Sequence, residues 1–136
     1  MKVFLAHPMK NLEDKEILKL RGQMIDIAKI ALDRDDLEVV DSWFQDEWTK
    51  QRYSEPSCYI PHRSVMFLGK AIQAMSEAEA VIAIDTWCND FATGSELEIT
   101  IAKRYDIPVI DLSYHLFLVR LCLAQLLKSR LQLLNL

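Results

Sequence analysis

Glycine is scarce in this chain: Gly22, Gly69 and Gly94 are the only three among 136 residues. They cannot compose a GxGxxG fingerprint or a GxxxxGKS/T phosphate cradle, which disfavours the usual dinucleotide oxidoreductases and nucleotide triphosphatases. Cysteine is equally rare. Cys58, Cys88 and Cys122 form neither an even set nor a CxxC pair, so no disulfide framework is expected. Cys58 and His62 have a possible ligand spacing, but two more ligands would have to come from scattered residues such as His7 or His115. No zinc or other metal is therefore expected. Long uncharged runs are missing as well. The opening MKVFLAHPM is too short before Pro8 for a signal peptide, and no run reaches spanning length. A cytoplasmic protein without a membrane partner is expected. Basic blocks are also lacking: 16 Lys and Arg stand against 20 Asp and Glu, a formal charge of -4. Nucleic acid is not an expected partner.

What is present is an alternation of short apolar runs with helical periods, on a length suited to one domain over residues 1–136. Val3 to Ala6 reads as a first strand. Asn11, with Asp14 three residues on, reads as the N-cap of a helix whose face is Ile17, Leu20, Met24, Ile27, Ala28 and Ala31. Leu37 to Val40 makes a second strand ending at Asp41. Ser42 to Pro61 then loses periodicity and gathers Trp43, Phe44, Trp48, Tyr53 and Tyr59 among Asp46, Glu47 and Glu55. A structureless connection of that length reads as a lid or binding loop. Its rings suit a flat heterocycle, with Trp43, Asp46 and Trp48 as substrate contacts, although a loop burying its own aromatics explains them equally well. Arg63 to Glu77 follows as a second amphipathic helix.

Ala80 to Asp111 organises the rest. Ala80 to Ile84 and Ile107 to Asp111 are strand-length apolar runs around a helix-forming Gly94 to Tyr105, a strand, crossover helix, strand unit. Neither strand alternates, as expected for a parallel sheet buried on both faces. Strand, helix, strand repeated to the end gives an α/β three-layer sandwich of flavodoxin-like (Rossmann-like) type, with sheet order 2-1-3-4. In such sheets ligands bind outside the carboxyl ends of the strands at the switch point, here between strands one and three. His7, Asp85, Asp90 and Glu96 would converge there. The closing segment from Ser113 is a leucine-dense helix. Arg120, Lys128 and Arg130 argue against a span, and leucines on nearly every side point to a homo-oligomer contact.

Glu96 falls in the first turn of its helix, where the dipole favours negative charge, and a carboxylate there can attack an anomeric carbon. Thr93-Gly94-Ser95-Glu96 is also a capping box, in which the same Glu need do nothing more. KVFLAHPM at the start, LGKAIQAMSEAEAVIAIDTW in the middle, and D-x5-E from Asp90 to Glu96 followed by IAKRYDIPVID together resemble the nucleoside 2-deoxyribosyltransferase-like family. That family includes nucleotide N-glycosidases. The match covers roughly Met1 to Leu112. The resemblance implies that Glu96 attacks C1′ of a nucleoside or nucleoside 5′-monophosphate and that Asp90 holds a sugar hydroxyl. It further implies an active site completed by a neighbouring subunit and no cofactor. Asp85 and Trp87 of the loop, with Gly94 and Ser95 of the first turn, join the candidate substrate contacts, and His7 is a candidate to orient Glu96 or protonate a leaving base. Two positions depart from the family pattern: Phe4 stands where a Tyr often bonds the nucleophile, and Gly69-Lys70-Ala71 where a catalytic Asp often stands. A catalytically silent nucleotide-binding or sensor module is the alternative, and an assembly protein working through its leucine helix is a third.

Overall fold

The computed structural model describes residues 1–9, 11–52, 60–84 and 93–134. Four strands, β1 (Lys2–Ala6), β2 (Glu38–Val39), β3 (Ala80–Ala83) and β4 (Val109–Asp111), form one sheet in the order β2-β1-β3-β4. Every pairing is parallel, with Phe4 opposite Val81 and Ile82 opposite Ile110. This is the flavodoxin-like order expected from the sequence. Val3 to Ala6 and Ala80 to Ala83 are buried at every position, which explains why neither strand alternates.

Among the described residues, five helices connect or follow the strands: α1 (Asp14–Leu32), α2 (Gln45–Arg52), α3 (Arg63–Met75), α4 (Thr93–Arg104) and α5 (Ser113–Leu134). Helices pack on both faces of the sheet. On one face α1 lays Leu20, Met24 and Ala28 against Val3, Leu5, Ile82 and Ile84. On the other, α3 and α4 bring Ala71, Met75, Ile99 and Ala102 against Phe4, Ala6, Val81 and Ala83. The α1 stripe of Ile17, Leu20, Met24 and Ala28 follows the helical spacing, and each large side chain in it stabilises the sandwich by about 1.5–3 kcal/mol.

The ends of the elements differ from the sequence reading in instructive ways. The N-cap of α1 is Glu13, not Asn11; the Glu16 carboxylate accepts the Glu13 N–H at 2.7 Å, while Asn11 turns through a positive φ of 63° just before. A longer carboxylate at the third helical position reaches back to the cap where Asp14 cannot. α1 ends on Asp33 in the left-handed conformation, φ 50° and ψ 49°, with its N–H donated to the Ile30 and Lys29 carbonyls. Asp106, just after α4, also has a positive φ of 57°. The stretch expected to be structureless contains α2. Its seven polar residues and single Trp48 make no helical stripe, so tertiary packing holds it: Trp48 meets Phe67 of α3 edge to face at 4.9 Å, and Glu47 forms an ion pair with Lys70. α4 begins at Thr93 itself, which puts that residue inside the helix rather than at the cap of the expected box.

No helix of the described residues is long and apolar enough to cross a membrane. Leu123, Leu126, Leu127, Leu131, Leu133 and Leu134 of α5 are all exposed.

Candidate functional site

The carboxyl edge of the sheet gathers the polar side chains of the interior. β1 delivers His7, two residues past its last inward-facing leucine, on the α1 side. His7 is buried, and its Nε2 lies 3.0 Å from Arg21 Nη1. Arginine only donates, so Nε2 is the acceptor and Nδ1 carries the proton. That proton is donated to the Pro8 carbonyl at 3.1 Å. Both ring nitrogens are thereby engaged. Burial and the neighbouring Arg21 charge push the imidazole down to about 4, overcoming the Pro8 bond, so it is neutral at physiological pH.

Arg21 is the hub of this edge. Its Nη1 also donates to Ser42 Oγ at 3.1 Å, and Ser42 donates in turn to the Leu5 carbonyl at 3.1 Å. A loop residue after β2 is thus tied to β1 through a helix side chain. Burial lowers the Arg21 guanidinium from its ordinary value, opposed by the charges of Asp41 and Glu98. Asp41, exposed at the end of β2, accepts the Trp43 and Phe44 N–H groups on Oδ1 at 3.0 and 2.9 Å. This turn lets Phe44 take a positive φ of 52° and starts α2.

Across the sheet, α4 buries Ser95, Glu98, Ile99 and Ala102, an i, i+3, i+4, i+7 stripe with a carboxyl in its middle. Burial pushes Glu98 up to about 8, against the attraction of Arg21, so it is protonated at neutral pH. Glu96, two residues earlier and therefore about 200° away around the helix, is exposed at the helix head.

A cavity of about 330 Å³ opens between α1 and the start of α2, lined by Arg21, Asp41, Trp43, Phe44, Gln45, Asp46 and Glu47. It brings together Trp43 and Asp46, both expected as substrate contacts, with Arg21, which was not. Trp48 packs on Phe67 instead. Gly94 and Glu96 are exposed at the head of α4 and do not line this cavity, while Ser95 is buried beneath them. A Cβ at Gly94 would meet nothing, so no close backbone approach requires glycine there. Asp85, Trp87 and Asp90 lie outside the described residues, as do Cys58 and Cys88. Phe4 and Ala71, the two positions that depart from the family pattern, are packed into the same apolar cluster against Ile99 and Ala102 of α4.

Arg21 and Glu98 escaped the sequence reading, although a signal for each was present. Arg21, half-buried, borders the buried stripe of α1 four residues after Ile17, and Glu98 falls on that of α4 one before Ile99. A charged residue on an apolar stripe marks a paired or protonated group. No family model, curated protein or solved structure matches this chain.

Proposed function

We propose that this chain binds a nucleoside or nucleoside 5′-monophosphate at the carboxyl edge of its sheet and cleaves or exchanges the N-glycosidic bond, with Glu96 as nucleophile. The observation that carries the reading is the exposed position of Glu96 in the first turn of α4, beside the β1/β3 switch point of a parallel sheet. There its carboxylate is reachable by a sugar, and the helix end favours its charge. A Glu96 oxygen would bond to C1′ as the bond from C1′ to the base nitrogen breaks. The base would leave with that electron pair and take a proton from solvent. Water or a second base would then release the sugar, and no metal or cofactor is called for. Asp90 would hold a sugar hydroxyl, as the family resemblance implies.

One observation favours a second reading, a binding module without turnover: Phe4 and Ala71 leave an apolar surface beneath α4 where the family often places a hydroxyl and a carboxylate. One experiment separates the two. Wild type and Glu96→Gln are given a panel of nucleosides and 5′-monophosphates, with free base followed by chromatography. The enzyme reading expects release by wild type and a fall of about a thousandfold or more in the variant. Thermal stabilisation by a panel member with no product from wild type would instead select the binding module.

The exposed leucines of α5 are proposed to pack against a second copy of the chain, burying a surface too apolar to face water as a patch. Light scattering should return at least twice the 15.8 kDa chain mass; a monomer at micromolar concentration would discard this contact.

A further inference from the structure

Helix α2 is held down by residues outside itself. It has no apolar face of its own, and its side chains are tied at three points: Gln45 Nε2 donates to Asp14 Oδ2 of α1 at 3.3 Å, Glu47 pairs with Lys70 of α3, and the Trp48 ring meets Phe67. Lys70 carries most of this attachment. Its ammonium also lies 5.6 Å from the Phe44 ring centroid and 6.0 Å from that of Phe67, so one cation faces a carboxylate and two rings. Glu47 and Lys70 are 53 and 35 % exposed, and an ion pair so open to water favours its closed form by no more than about fivefold.

Where α2 begins, the chain works against that latch. Phe44 has a φ of 52°, a conformation in which a large side chain crowds its own backbone. Trp43, next to it, is buried, and its Nε1–H has no acceptor among the described residues. Both penalties belong to the closed arrangement and lapse once the segment turns outward. The closed turn is kept by Asp41, whose Oδ1 accepts the Trp43 and Phe44 N–H groups. Beneath it, the cavity of about 330 Å³ separates the first turn of α2 from Arg21. Weak ties along a short helix and strain at its root are the ingredients of an element that opens locally while the core stays folded.

We infer that α2 is a lid that opens by turning about Trp43 and Phe44, is latched shut by Lys70, and controls access to Arg21 at the carboxyl edge of the sheet. Once released, a helix of eight residues cannot keep its own hydrogen bonds in water, so opening also exposes the α2 amides. The lid operates whether or not Glu96 turns a substrate over, and its test needs no substrate.

The full chain is compared as wild type and as Lys70→Met, in which an unbranched stem stays beside both rings and the charge is lost. Hydrogen exchange followed by NMR should show the amides from Trp43 to Arg52 exchanging through one shared opening, at least about tenfold faster than those of α1 and α3. Lys70→Met should speed that exchange about five- to tenfold, the ion pair and the ring contacts together, and leave α1 and α4 unchanged. Wild type in about 1 M NaCl, where the screening length is about 3 Å, should move the same way by a smaller factor. Access itself is read by modification of Arg21 with phenylglyoxal, followed by peptide mass, which should accelerate in Lys70→Met by the same factor as the amides. Exchange of α2 only as slowly as α1 and α3, or an Arg21 modification rate equal in wild type and Lys70→Met, would overturn the inference.

Discussion

The two halves of the sheet's carboxyl edge handle charge in opposite ways. On the α1 side, Arg21 stays ionised in a partly buried place because His7, Ser42 and Asp41 surround it, and His7 stays neutral to let it. On the α4 side, burial makes Glu98 give up its charge at neutral pH, while Glu96 keeps to water. A buried ionisable group must either collect partners or change protonation state. This chain does one on each side of β1, and the two are linked because the Arg21 charge restrains the rise that burial imposes on Glu98.

That contrast can be broken in descending steps. The largest effect belongs to the solvent-facing carboxylate, where Glu96→Gln should abolish base release with little change in melting temperature. Next is Arg21→Met. It leaves the buried Nε2 of His7 without a donor and frees Ser42 from the helix, and should cost about 2–3 kcal/mol by denaturant midpoint. A midpoint like wild type would show that Arg21 holds nothing together. Because Arg21 draws Glu98 downward, the same substitution should move the Glu98 titration further above 8, seen by carboxyl NMR.

The smallest and most diagnostic step is in pH. His7 titrates near its ordinary 6.5 unfolded and at about 4 folded, so its contribution is present above 6.5 and lost as pH falls toward 4. Glu98 runs the other way. Its folded value is raised from 4.5 to about 8, so its contribution is present below 4.5 and lost as pH rises to 8. Between 4.5 and 6.5 the two oppose, and from 6.5 to 8 Glu98 acts without His7. Stability should therefore decline across that upper window, at no more than about 1.4 kcal/mol per pH unit. Glu98→Gln should flatten this limb in urea titrations and leave the acid limb in place. An upper limb equally steep in the variant would assign it to another group.

Most of the sandwich was legible because its signals are local. The unalternating runs at Val3 and Ala80, and the stripe from Ile17 to Ala28, each report burial within a dozen residues. α2 was hidden because one aromatic among seven polar residues has no period to read, and that Trp48 is anchored by Phe67 from another helix. The Arg21 network was hidden for a related reason: its partners His7 and Ser42 are 14 and 21 positions away, and no spacing rule links them. Trp43 and Asp46 could be placed near a cleft by composition, but the unmet indole donor exists only once the chain is folded.

The left-handed turns at Asp33 and Asp106 bear on how this chain tolerates change. Most helices that close this way use glycine, which loosens the denatured chain as it relaxes the native turn. Aspartate reverses the trade: the native backbone is mildly strained and sits at the negative pole of the helix, while the unfolded ensemble has fewer shapes to explore. Those two corners are thus held in reserve, sites far from the cleft where a single substitution could offset the toll of remodelling it.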